Sequence, residues 1–366
     1  MNSKLTLSRL LKSTNLFWLS IIVIVVLKFL LFTYLIVFFP DAHLGGGSDA
    51  DYYHRYAINF GSFEVSDGSS FWPVLLRFFS DSGLYNRDIF SLILFVMSIT
   101  LLPYLFYKLV KVQANIIKPV RAGSFLLIIF YPTLFYYSLD VYREVFMFGV
   151  LLLSLLVYKK SLEVNLLRST IYFLIFLGLT FFLYMLRPYL GAALGVTPFV
   201  YLIFSKTKKY IKSWIFLYFG ILVLAKVTGV IDPILDYRAG FQSGGSTLGI
   251  GLLDKNPIMF LVYYLYSLFG QLFGLFLVNI IAVLVFLLES VPFIIAFIYL
   301  LKNIRFMTRF SSFLLIFFII YTTVWVLGND NLGTAVRLRI PSYFSIFACM
   351  FIVYQMKSKF SFNKIV

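Results

Sequence analysis

Residues 15–39 read NLFWLSIIVIVVLKFLLFTYLIVFF, with Lys28 as the one charge. A helix rises about 1.5 Å per residue, so a run of this length covers roughly 30 Å of hydrocarbon. This reading decides the fold, because the pattern recurs along the whole chain. Apolar runs of about 15–25 residues alternate with short charged clusters. Of the 366 residues, 61% are hydrophobic, 20% aromatic and only 13% charged. A soluble domain carries about 25% charged residues. The expected class is all-α: a polytopic bundle of transmembrane helices forming a single integral membrane domain over 1–366. A transmembrane barrel is excluded, because its strands alternate apolar and polar residues and run only about ten residues. The first run is too long for a signal-peptide core and is expected to remain as a helix.

About ten spans fit the pattern, at 15–39, 89–107, 122–138, 141–158, 169–186, 189–205, 213–230, 274–301, 311–328 and 341–356. Basic clusters fall between them on one side: Lys4, Arg9 and Lys12, then Lys108, Lys111, Lys118 and Arg121, then Lys159, Lys160 and Arg168. Lys206, Lys208, Lys209 and Lys212 follow, then Lys302, Arg305 and Arg309, and finally Lys357, Lys359 and Lys364. That side holds 20 of the 31 cations, 15 of them lysine. The positive-inside rule makes it cytoplasmic and places both termini there. The net charge of +16 is thus topogenic and implies no nucleic-acid partner.

The opposite side carries 13 of the 15 acids, and eight of its nine cations are arginine. Topogenic charge is indifferent to the choice between lysine and arginine. A planar guanidinium, however, grips phosphate or carboxylate with two parallel donors. The outer face is therefore expected to present a site for an anion, or else to hold its loops together by arginine–acid pairs. It also has the long loops, 40–88 and 231–273. The first contains FWPVLLRFF, suited to an interfacial helix. The second ends in YYLYSLFG, suited to a re-entrant or interfacial one. No Walker loop or nucleotide fingerprint is present. The single Cys349 and the two histidines, His43 and His54, rule out a cysteine or histidine-rich metal site.

Five outer motifs could carry chemistry. SDADYYHRY at 48–56 follows three glycines and offers Asp49 and Asp51 as a general base or a divalent-cation site, with His54 beside them. It could equally be an interfacial helix capped by Ser48 or Asp49, with Asp51 and Arg55 paired at i,i+4. DVYRE at 140–144 would bring Asp140, Arg143 and Glu144 onto adjacent faces of a helix start. Charges so close to an apolar span are costly unless paired or used. LRPY at 186–189 leaves Arg187 between two spans with almost no loop, where a lipid phosphate or a lipid-linked substrate would satisfy it. Tyr237 and Arg238 open a glycine-rich segment that could close over a sugar. Arg337 and Arg339, in GTAVRLRIP at 333–341, lie on one side if that segment is extended, where they could converge on pyrophosphate. Lys28 and Glu289 are charges within spans and could mark a polar interior or snorkel.

Taken together these motifs resemble the membrane-embedded glycosyltransferases of the GT-C superfamily, and especially the Wzy-type O-antigen and capsule polymerases. The resemblance rests on SDADYYHRYA after the first helix, SLDVYRE at 138–144, Arg238 and Gly249 with ten residues between them, and GTAVRLRIP before the last helix. It implies an enzyme of a bacterial inner membrane that polymerises undecaprenyl-pyrophosphate-linked repeat units at the outer face. Asp49, Asp51, Arg187 and Arg238 would be catalytic. Arg143, Glu144, Tyr237, Arg337, Arg339 and His54 would bind pyrophosphate and glycan. No cofactor is implied beyond a divalent cation that the acids could hold. The implied partners are lipid-linked glycans, membrane lipids and a chain-length regulator protein. The first motif fits equally a transferase adding one sugar from a polyprenyl-phosphate donor, and a flippase of lipid-linked oligosaccharides is the non-enzymatic rival.

Overall fold

The computed structural model describes residues 2–38, 48–59, 71–112, 118–206, 211–240, 247–275, 277 and 279–362. Gly45, Gly46, Gly47, His43, Glu64, Asp67, Gly244 and Gly245 lie outside them. The described residues are helical almost throughout. No strand occurs among them, beyond an isolated bridge between Thr247 and Asn331. Among the described residues, six helices are long and apolar enough to cross a membrane, or seven if a bent pair counts as one span.

The chain divides into two compact units, residues 1–188 with 351–366, and residues 189–350. The first begins with α1 (Asn2–Phe38), α2 (Ser48–Ile58) and α3 (Phe71–Asp81). α4 (Arg87–Val110) starts at an Asn86 cap, whose side chain accepts from the Asp88 and Ile89 amides at 2.9 and 3.1 Å. A π turn at Met97–Leu101 interrupts it. α5 (Lys118–Ile129) and α6 (Pro132–Tyr136) stand where one span was expected at 122–138; Tyr131 is extended ahead of Pro132, so the helix breaks there. α7 (Arg143–Ser161) carries two charged residues at each end, and α8 (Leu166–Leu186) packs against it after a four-residue turn. The α4 terminus is held by side chains. The Lys159 ammonium donates to the Leu109 carbonyl at 2.9 Å, and the Gln355 amide donates to that of Val110 at 2.9 Å. Lys28 lies 4.4 Å over the Phe135 ring.

The second unit takes in α9 (Pro188–Lys206) from Tyr189 onward. α10 (Ile211–Val227) follows, its Phe216–Val227 part bending by 77° into α11 (Asp232–Ala239). The segment 231–273 is thus largely helical, since α12 (Pro257–Phe273) fills its second half. α13 (Ile280–Lys302) has a π turn at Phe286–Ser290 that holds the buried Glu289. α14 (Arg309–Gly328) opens with a Thr308–Ser311 capping box. α15 (Leu332–Phe362), which belongs to this unit as far as Met350 and to the first unit from Phe351, starts nine residues before the span expected at 341–356 and carries Pro341 within it.

Gly274 ends α12 with φ at +66°, the left-handed conformation that glycine adopts without strain. A Cβ there would clash with Arg339 Nη1 and lie 2.9 Å from Ser290 Oγ. Both neighbours are buried, so neither has room to withdraw. Gly274→Ala is expected to lower stability by about 2 kcal/mol or more, read as a fall in the thermal midpoint of the solubilised protein. Gly178→Ala, in open space on α8, is the control and should leave the midpoint level or raise it. An unchanged midpoint for Gly274→Ala would show that the Arg339 packing is loose.

Candidate functional site

The site in the first unit follows from local sequence. α7 and α8 are of similar length and joined by a short turn, so the start of one and the end of the other share an end of the hairpin. Arg143 and Glu144 begin α7. Arg187 follows α8, and Pro188 explains why the helix stops there: the residue before proline avoids the helical region. Arg187 is accordingly extended, its amide still bonded to the Leu183 carbonyl at 2.8 Å. Its Nη2 donates to Glu144 Oε1 at 3.0 Å, and both side chains are buried. Arg143 Nε lies 3.9 Å from the same oxygen, and Arg143 Nη1 donates to the Leu186 carbonyl at 3.1 Å. Two guanidiniums thus share one carboxylate within ion-pair distance.

α2 brings the first motif to this pair. Asp49 and Tyr53 are i,i+4 on α2 and share a face. Burial pushes the Tyr53 hydroxyl up to about 12; Arg143 and Arg187 pull it down, Glu144 and Asp49 push it up. One hydroxyl therefore feels all three outer motifs of this unit at once.

The anchor of α2 is a network in which sequence reasoning gave no part to Arg87 or Trp72. Arg87 grips Asp140 with two donors, Nε to Oδ1 at 2.9 Å and Nη2 to Oδ2 at 2.6 Å. Nη2 also reaches Asp51 Oδ1 at 2.8 Å. Trp72 Nε1 donates to the Val141 carbonyl at 2.8 Å, which ties α3 to the same turn. His54 Nδ1 lies 3.0 Å from the Tyr85 hydroxyl, which burial pushes up, with Arg87 opposing. Two expectations change here. Asp140 is not on a helix with Arg143 and Glu144; it sits in the turn before α7 and pairs with Arg87. Asp51 does not pair its carboxylate with Arg55, whose Nε instead contacts the Asp51 carbonyl at 3.3 Å.

The other expected site residues belong to the second unit. Arg238 is buried, and all five of its N–H donors are used. Nε donates to the Ile250 carbonyl at 3.1 Å, and Nη1 to those of Val326 and Asn329 at 2.7 and 2.6 Å. Nη2 donates to Ser267 Oγ at 3.1 Å and to the Asp330 carboxylate. Asp330 Oδ2 in turn accepts from the Gly249 amide at 3.0 Å. Burial pushes the Asp330 carboxyl above its usual range, with the Arg238 guanidinium opposing. Arg238 is thus a clamp on the segment 247–250, not a guanidinium presented to substrate, as a catalytic role had required. Tyr237 beside it is exposed.

Arg337 and Arg339 are not on an extended segment. Both are helical in α15, and two helical residues point about 200° apart, so the expected convergence is lost. Arg337 is half-buried, its Nη2 3.4 Å from Thr334 Oγ1. Arg339 is buried, with Nη1 3.1 Å from Ser290 Oγ and 3.4 Å from the Tyr343 hydroxyl. Among the described residues no three His, Cys, Asp or Glu gather in a metal-ligating group. The chain matches no protein-family model, no curated protein and no solved structure.

Proposed function

We propose that this membrane protein polymerises lipid-linked polysaccharide repeat units at the outer face of a bacterial inner membrane. In this reading the chain crosses about ten times, has a GT-C-like architecture and keeps both termini in the cytoplasm. The carrying observation is the cluster in the first unit, where Arg143 and Arg187 share Glu144 beside the helix that bears Asp49 and Tyr53. Paired guanidiniums stabilise negative charge developing on a departing pyrophosphate. A carboxylate one helical turn away supplies the base.

The acceptor hydroxyl oxygen attacks the anomeric carbon of the growing glycan. The carbon–oxygen bond to undecaprenyl pyrophosphate breaks, the leaving pyrophosphate keeps the electron pair, and the hydroxyl proton passes to an aspartate. Asp51 is held by Arg87, which gives it to anchoring α2, and the reading assigns the base to Asp49. Asp49→Asn is expected to shorten surface glycan to single repeats on a gel. Asp51→Asn should shift chain length less, since it alters the anchor and not the base. Near-normal lengths in both variants would leave α2 a structural role only. Glycans one sugar short would instead favour a transferase adding a single sugar from a polyprenyl-phosphate donor.

A further inference from the structure

The basic side of the chain has almost no acid of its own to meet. Of the 15 acids, 13 lie on the opposite side and Glu289 is buried within α13, which leaves Glu163 against 20 cations. The helices of the first unit place two of these cations over aromatic rings. Arg121, in the first turn of α5, lies 5.5 Å over the Trp18 ring of α1, and Lys108, in the last turn of α4, lies 5.2 Å over the Tyr104 ring. Neither joins an ion pair among the described residues. A ring engages a cation through its face and leaves N–H donors free for an anion.

The rings form a layer behind the cations. Phe125, one turn beyond Arg121, is edge-on to Trp18 at 5.8 Å and lies 5.7 Å from Tyr107. α1, α4 and α5 therefore meet around Phe125. Arg121 precedes Phe125 on a helix that leaves the basic side, and Lys108 follows Tyr107 on a helix that returns to it. On both helices the charge thus lies outward of the ring. Cations above aromatic rings at the end of apolar spans match the headgroup layer of a bilayer, where such rings settle.

We propose that this end of α1, α4 and α5 binds an anionic phospholipid, its phosphate held by Arg121 and Lys108 and its glycerol and upper chains against Trp18, Phe125 and Tyr107. The orientation proposed above supplies the leaflet, the cytoplasmic one, which carries anionic lipid. Nothing in the proposal needs the polymerase reading. A lipid is the occupant because it meets both layers, whereas a soluble anion would leave the rings unmatched.

The test uses the full chain in nanodiscs of phosphatidylcholine, with brominated phosphatidylglycerol or brominated phosphatidylcholine as quencher. Both leaflets are sampled, so the result does not depend on orientation. Trp18 emission is taken as the difference between each protein and its Trp18→Phe counterpart. Phosphatidylglycerol is expected to associate at Trp18 about fivefold or more above phosphatidylcholine, the effect of about one basic residue at the surface. The ratio should fall towards one in Arg121→Gln/Lys108→Gln, at an unchanged thermal midpoint. Lys255→Gln is the control, because Lys255 also lies over a ring, 4.9 Å from Tyr263, but in the second unit. It should keep the ratio, and an equal loss there would reduce the effect to net charge and overturn the site. Equal quenching by the two lipids in wild type, or an undiminished ratio in the double variant, would also overturn it. Loss of the ratio on adding glycerol phosphate, but not sodium chloride of equal ionic strength, would overturn a lipid occupant in favour of a soluble anion.

Discussion

Arg238→Met is expected to cost the second unit about 3–5 kcal/mol, the usual consequence of removing one partner of a buried ion pair. The substitution keeps the length of the side chain but leaves the Asp330 carboxylate buried without its guanidinium. It also takes the guanidinium from the carbonyls of Ile250 and Val326, while that of Asn329 keeps the Gln271 amide at 2.8 Å. Arg238→Met/Asp330→Leu should recover part of the loss, because the charge is removed while the carbonyls remain unsatisfied. The pH dependence has a definite sign. Burial already raises the Asp330 carboxyl above its usual range against the pull of Arg238. Without that pull it rises further, so the folded variant holds a proton that the unfolded chain releases. Stability of Arg238→Met should therefore be greatest at low pH and fall as pH rises through the folded-state value. A thermal midpoint equal to wild type would contradict the clamp. Loss of glycan polymer in this variant is expected to follow loss of the folded unit.

Arg187→Ala is expected to act on function more than on fold. Glu144 would lose the guanidinium at 3.0 Å but keep Arg143 within ion-pair distance, so the buried carboxylate is not abandoned. On the proposed function the charge facing a leaving pyrophosphate would be halved, and removing one such donor typically slows a reaction by about 10²–10³-fold. Arg187→Lys should restore stability better than activity, since an ammonium supplies the charge without the planar fork. The readout is the rate of polymer formation from lipid-linked repeat units by the purified protein. A rate within a few-fold of wild type would remove Arg187 from the chemistry and leave it a structural partner of Glu144.

Much of the helical layout was legible in the sequence, because apolar run length and charge clusters are local signals. The break at Arg187 was legible for the same reason, since proline acts on its immediate neighbour. Partners were less so. Arg87 is 53 residues from Asp140, and Arg238 is 92 from Asp330. Nothing local says which acid each arginine meets, although the excess of both on the outer face implied that some would pair. Arg238 sits beside glycines and reads as a loop residue, yet its environment comes from 247–250 and from the end of α14. The expected convergence of Arg337 and Arg339 needs an extended segment, and the helix instead runs through it and through Pro341. Proline is compatible with a helix when its lost amide bond is outweighed by packing, and Leu338, Ile340 and Phe344 are buried around it.

The most direct measurement is a gel of surface glycan from a strain deleted for this chain. Polymerisation of repeat units predicts that the long ladder collapses to a single repeat and returns on complementation with wild type. Export of no repeat unit at all would contradict it and point to a flippase. An unchanged ladder would contradict any role for the chain in making that glycan.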